Sequence, residues 1–277
     1  MALSRTLVTF VLGLALSLPS AAQRAGQPAP IAGLERQTWT VDGVERTALV
    51  AAPRAAMADK TGPLVLVFHG HGGTSANAAR SFKLHEAWPE AVVLYPQGLP
   101  TAGVLTDPQG NLPGWQHLAQ SDGDRDLHFV DAMLAWAKAH YAIDARRIFA
   151  AGHSNGGSMV YVLWAARADQ FAAFAPSSSI FPVEAIVSAK PKPAFIVSGR
   201  ADPLVPFAAQ QLSLRGVLRL NKANATAEPW SGGAVRHASS VGADVVTYIH
   251  EGGHAMPADA GGLIVKFFRA VNGPKVQ

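Results

Sequence analysis

Hydrophobic and polar positions alternate on both sides of Asp42-Gly43 in "RQTWTVDGVERTALVAAP", a period of two that predicts an antiparallel hairpin turning on those residues. Further along, the pattern changes. "PLVLVFHG" (63–70) and "AVVLYP" (91–96) are short, β-branched and almost wholly apolar, and "RIFAAG", "PAFIVSG" and "ADVVTYI" repeat the pattern. Such runs suit strands covered on both faces, as in a parallel sheet. Between them the period is helical. Leu127, Val130, Leu134, Ala137 and Tyr141 share one face, as do Met159, Val162, Leu163 and Ala166, and a last helix is expected over Gly262 to Val271. Strands alternating with helices after an opening hairpin predict an α/β fold: a mostly parallel central sheet, an N-terminal antiparallel hairpin, and helices on both faces.

The chain has 277 residues, 49% of them hydrophobic, enough for one large core, and shows neither an internal repeat nor an interdomain linker. Its start reads differently. "MALSRTLVTFVLGLALSLPSAAQ" joins a basic Arg5, an apolar run from Leu7 to Leu18, and small Ser20 and Ala22 at cleavage spacing, which predicts a secretory signal peptide over 1–22. A retained anchor is the weaker alternative, because that run is 12 residues and a membrane span needs about 20. Residues 23–36 then form an N-terminal extension and 37–277 a single domain. Export permits disulfides, but the chain has no cysteine, so packing alone must hold it. The net charge of +4 comes from scattered Lys and Arg. That excludes a nucleic-acid footprint, and no obligate protein partner is indicated.

Ligands of open α/β sheets bind beyond the carboxyl ends of the strands, so the residues just after each apolar run carry the chemistry. Gly152-His153-Ser154-Asn155-Gly156 follows a strand pattern and opens a helix pattern, the context that gives G-x-S-x-G its meaning. A serine at the apex of so tight a corner projects its hydroxyl out of the sheet, and the first amides of the helix favour negative charge there. A glycine-rich turn with an N-capping serine is the plainer alternative. A serine needs a base, and the base an acid. Of the acids after Ser154, only Asp202 directly follows an apolar strand run, in "PAFIVSGRADPLVP"; the alternative is a turn residue before Pro203. Three histidines follow Asp202: His237, His250 and His254. His254 lies in a Gly-flanked loop between the last strand and the last helix and is the expected base, with His250 as runner-up.

An oxyanion would need two donors. The amide of Asn155 is one, and "HGHGG" at 69–73 should supply the other through His71 or Gly72. His69 and His71 could instead hold zinc, but neither a HExxH helix nor a Cys pair completes a ligand set. No metal or organic cofactor is expected. Trp115, in the long polar segment 107–126, either lines the substrate cleft or merely buries that loop. Asp124 and Asp126 are expected as caps or dipole partners of the next helix.

"VFHGHGG", "YPQG", "AGHSNGG", "SGRADPLVP" and "EGGHAMP", in this order over roughly residues 40–272, resemble the α/β-hydrolase superfamily. More narrowly, they are similar to the secreted esterases grouped with polyhydroxybutyrate depolymerases and feruloyl or acetylxylan esterases. The resemblance implies an α/β-hydrolase fold, Ser154 as nucleophile, Asp202 as acid, His254 as base, and the amides of His71 and Asn155 as oxyanion hole. It also implies a secreted serine esterase acting on a plant polysaccharide ester, a hydroxycinnamate ester or a hydroxyalkanoate oligomer, soluble or short rather than crystalline. A serine peptidase on the same fold and a non-catalytic glycan- or polymer-binding protein are the alternatives.

Overall fold

The computed structural model describes residues 30–54, 61–103 and 106–271. The expected signal peptide and residues 23–29 lie outside the described residues. One compact unit begins at Ala32. β1 (Glu35–Val41) and β2 (Val44–Ala51) pair in antiparallel register, Val41 opposite Val44. Asp42 and Gly43 both take left-handed φ, 51° and 77°, the two-residue turn whose twist matches that of its strands.

β3 (Gly62–Phe68) leads through helices α1 (Ser75–Phe82) and α2 (Leu84–Ala87) to β4 (Val92–Pro96). A small ribbon of β5 (Leu99–Pro100) and β6 (Pro113–Gly114) precedes helix α3 (Arg125–His140), β7 (Ile143–His153) and helix α4 (Asn155–Arg167). There follow β8 (Ala173–Ser177), α5 (Val183–Ile186), β9 (Ala194–Gly199), α6 (Phe207–Leu220), β10 (Glu228–Ser231), β11 (Ala234–His237), β12 (Val245–His250) and α7 (Ala260–Ala270).

The main sheet runs β1-β2-β4-β3-β7-β8-β9-β12-β11-β10. Its middle, from β4 to β12, is parallel throughout, and antiparallel strands close both edges. Alternate residues of each central strand serve opposite faces. Leu64, Leu66, Phe68, Ile148 and Ala150 join a core with α3 and α4. Phe149 points the other way and stacks on Phe268 of α7, ring centroids 4.5 Å apart. Among the described residues no helix is long and apolar enough to cross a membrane.

Two parts of the sheet escaped the sequence pattern. β8 is short and carries Pro176, a residue that argues against a central strand; it fits because the proline sits near the strand's end. The β10–β11 hairpin is too polar to read as strands, although Gly232 and Gly233, at φ 56° and 81°, supply its turn. Asp124, at the N-cap position, and Asp126, in the first turn, stand where dipole partners of α3 were expected, but neither side chain caps the helix. The side chain of Gln116 does, its Oε1 accepting from the amides of Asp126 (3.1 Å) and Leu127 (3.3 Å). Asp126 is instead a fully buried anchor: Oδ2 accepts from the Gln116 amide at 2.8 Å and Oδ1 from Arg46 Nη2 at 2.7 Å.

Removing one partner of such a buried pair strands the other charge. Asp126→Ala is expected to lower unfolding stability by about 3–5 kcal/mol, measured by urea titration. A loss below about 1 kcal/mol, the range of surface pairs, would show that the pair does not anchor β2 to α3.

Candidate active site

β7 ends at His153 and α4 begins at Asn155, so Ser154 alone makes the corner. Its backbone is held at φ 57°, ψ −123°, a conformation that a residue with a Cβ adopts only where its surroundings enforce it. The glycines provide that enforcement. A methyl at Gly152 would overlap the carbonyl of Gly156, and one at Gly156 would overlap the carbonyls of Phe68 and His69 at the end of β3. The Ser154 amide donates to Ser177 O at 2.9 Å. Its hydroxyl has no hydrogen-bond partner among the described residues, His254 included. Such contacts are often long without substrate.

Two amides were expected at this corner, those of Asn155 and of His71 or Gly72, and His71 and Asn155 line one cavity with Ser154. The amide of Asn155 opens α4. Of the two possible donors in the 69–73 loop, Gly72 is committed, its N–H donating to Pro113 O at 2.7 Å. The His71 amide makes no hydrogen bond among the described residues, and His71 lines the same cavity as Ser154 and Asn155. His69 is no metal ligand. Its Nδ1 donates to Gly70 O at 2.7 Å, and its Nε2 accepts from the Gly98 amide at 3.0 Å, so both ring nitrogens are spent on the backbone. No cluster of metal-binding side chains occurs among the described residues.

Asp202 and His254 meet. Nδ1 of His254 donates to Asp202 Oδ2 at 2.8 Å, which leaves the Nε2 lone pair of that tautomer free. Asp202 also behaves as the turn residue its Asp-Pro context suggested, Oδ1 accepting from the amides of Leu204 and Val205, both at 2.9 Å. Burial pushes its carboxyl upward, but the Val205 and Leu204 amides and the His254 ring outweigh burial and hold it below the usual carboxylate range. His250, the runner-up, makes no bond to Asp202, and its Nε2 has no partner among the described residues. His237 is buried with Nδ1 on Asn224 O.

Trp115 is not at the cleft. It is 0% exposed; its indole donates to His69 O at 2.8 Å, and its amide to Asn155 Oδ1 at 2.7 Å. Burial of a loop was the alternative, and that is where the residue lies. Sequence reasoning missed Gln210 of α6, whose Nε2 donates to Asp202 Oδ2 at 3.1 Å, for which no sequence signal exists. It also passed over His153, although it stands beside the serine. That ring packs at a tilt against His254, centroids 4.8 Å apart, and bonds Ser177 Oγ at 3.1 Å.

Burial, chiefly, pushes both His69 and His153 down to about 4. Each ring stays neutral in the fold while the unfolded chain takes up a proton below about 6.5. Their contribution is therefore complete above about pH 6.5 and is lost as pH falls toward 4. Urea titrations at pH 7 and pH 5 should differ by roughly 2 kcal/mol for each ring; equal stabilities would refute the neutral-ring assignment.

The chain matches the profile of the prolyl oligopeptidase family over residues 115–194. It is 28% identical over 183 residues to a protein named "Probable feruloyl esterase C" from Aspergillus flavus, covering 63% of each chain. It is 29% identical over 148 residues to the bifunctional acetylxylan esterase/xylanase XynS20E of Neocallimastix patriciarum, covering 52% of this chain and 20% of that one. The chain thus spans less than two thirds of the length of these relatives. The solved acetyl xylan esterase from Aspergillus awamori superposes with a TM-score of 0.64 at 15% identity, over 85% of this chain and 99% of that one. The fold is the α/β-hydrolase fold, and the chain is similar to feruloyl and acetylxylan esterases.

Proposed function

We propose that this protein is an exported carboxylic ester hydrolase that works through an acyl-enzyme on Ser154. The observation that carries the reading is the 2.8 Å bond between His254 Nδ1 and Asp202, beside a serine held at a strained strand-to-helix corner. His254 Nε2 takes the Ser154 proton as Oγ attacks the ester carbonyl. The amides of His71 and Asn155 receive the oxyanion. His254 then returns the proton to the leaving alcohol, and water, activated the same way, releases the acid. Asp202 holds the ring's tautomer and stabilises its charged form. The similarity to feruloyl and acetylxylan esterases supports esters of that kind as substrates. In this reading residues 1–22 are the leader removed on export and 37–277 form the catalytic domain.

The test is hydrolysis of p-nitrophenyl acetate, p-nitrophenyl butyrate and methyl ferulate. Ser154→Ala is expected to lower kcat by roughly four to six orders of magnitude and Asp202→Asn by about 10⁴, both with folding intact by circular dichroism. Unchanged hydrolysis in Ser154→Ala would remove the serine from the mechanism. The match to the prolyl oligopeptidase family favours one second reading, cleavage of peptide bonds by the same residues. A p-nitroanilide peptide cleaved in preference to every ester would establish it.

A further inference from the structure

Asp202 takes one hydrogen bond that its own turn does not supply. Gln210, the fourth residue of α6, is 2% exposed. Its Nε2 donates to Val205 O at 2.7 Å and to Asp202 Oδ2 at 3.1 Å. The direction of the amide follows from its surroundings: turned over, Oε1 would face two acceptors, so the NH₂ end must point at the acid. Oε1 is left buried and without a partner among the described residues, an unfavourable state for a carbonyl oxygen. A polar side chain is therefore kept at this position although half of its amide goes unsatisfied.

The needs of the carboxylate do not explain the bond. Oδ1 of Asp202 already accepts from the amides of Leu204 and Val205, both at 2.9 Å, and Oδ2 accepts from His254 Nδ1 at 2.8 Å. Without Gln210 neither oxygen would be unpaired. What the amide changes is the charge that Oδ2 offers to the imidazole. The Asp202 side chain is fully buried, so solvent does not dilute the competition. A second donor on that oxygen draws charge from it and weakens its hold on a protonated ring.

Few other charges bear on the pair. His153, at the end of β7, packs its ring against His254, and His250 ends β12. Arg200 and Glu251 form an exposed ion pair at 2.9 Å, and α6 carries no charged residue before Arg215. Among the described residues none of these bonds the Asp202 carboxylate, whose side-chain partners are Gln210 and His254.

We infer that Gln210 is a positioning residue for the reaction, acting through Asp202: by sharing the oxygen that His254 binds, it limits how firmly the acid holds the protonated base. This rests on the ester-hydrolase reading, in which His254 must be neutral to take the Ser154 proton. With the Gln210 donor gone, Oδ2 stabilises the imidazolium more strongly. The base is then withdrawn at a higher pH, and the acid limb of kcat/KM moves upward.

The test is the pH dependence of kcat/KM for p-nitrophenyl acetate in wild type and Gln210→Met, which keeps the length of the side chain and removes the donor. Each enzyme is normalised to its own plateau, so a loss of active protein cancels. The acid limb of the variant is expected about half a pH unit higher. At the wild-type midpoint the variant then runs at about a quarter of its plateau instead of half. Gln210→Leu takes its place if the methionine variant does not fold. A role confined to holding the 202–205 turn gives a different result, a lower plateau or a lower Tm with the limb unmoved. That result would overturn the inference and leave ester hydrolysis standing, as would a limb displaced to lower pH. Folded wild type without activity on p-nitrophenyl acetate, p-nitrophenyl butyrate or methyl ferulate would overturn the ester-hydrolase reading, and the role of Gln210 in that reaction with it.

Discussion

The site depends on one steric contact, the bare backbone of Gly156 against the carbonyls of Phe68 and His69. Because no Cβ intervenes, α4 starts hard against the end of β3. That closeness brings Ser154, the first amide of α4 and the 69–73 loop to one point. It also enforces the Ser154 conformation, since the chain must turn within a single residue between β7 and α4. Strain at the serine is thus sustained by packing two residues away, and a side chain at either flanking glycine would relax it by moving the helix.

The same corner is braced from the side by a buried polar network. The side chain of Asn155 accepts from the Trp115 amide and donates to the Trp115 carbonyl, so residue 155 is held at both ends. Trp115 binds His69 O, Gln116 caps α3, and Asp126 passes the connection to Arg46 on β2. These bonds lie in a low-dielectric region, where they are strengthened and where breaking one is costly; Arg46 Nε alone of the Arg46–Asp126 pair is left without a partner among the described residues. His69 takes part only as a neutral ring, with one nitrogen donating and the other accepting. The long segment before α3 is therefore a fixed wall, and the amide of His71 is positioned by what fastens that wall.

How much of this was legible follows from where the signals live. The hairpin, the apolar central strands and the helices at 125–140 and 155–167 announce themselves because their burial is periodic. The corner is legible because its glycines answer a local steric demand. Asp202 and His254 could be chosen because each follows a strand run, and the structure brings those two together. Partners fixed by tertiary folding left no trace: Gln210 reaches back to Asp202 from the helix that follows it, and Arg46 meets Asp126 across 80 positions. Trp115 was ambiguous for the same reason, since an aromatic in a polar loop fits a rim or a plug equally well until its neighbours are known. The strand β8 was hidden by its brevity and its proline.

Asp202 has more partners than orienting a base requires. Two amides and Gln210 hold its oxygens in addition to His254, and these amides, against the upward push of burial, help to keep the carboxyl ionised. The carboxylate is therefore held in place by more than the histidine bond. The ring of His254, on a loop between β12 and α7, has one hydrogen bond among the described residues and packs against the His153 ring. The proposed mechanism needs that asymmetry, because its base must accept a proton from one oxygen and deliver it to another: a carboxylate fixed by its own turn, and an imidazole whose second nitrogen is left free. His153, kept neutral by burial, packs against the ring without setting a second positive charge beside the imidazolium that the proposed mechanism forms.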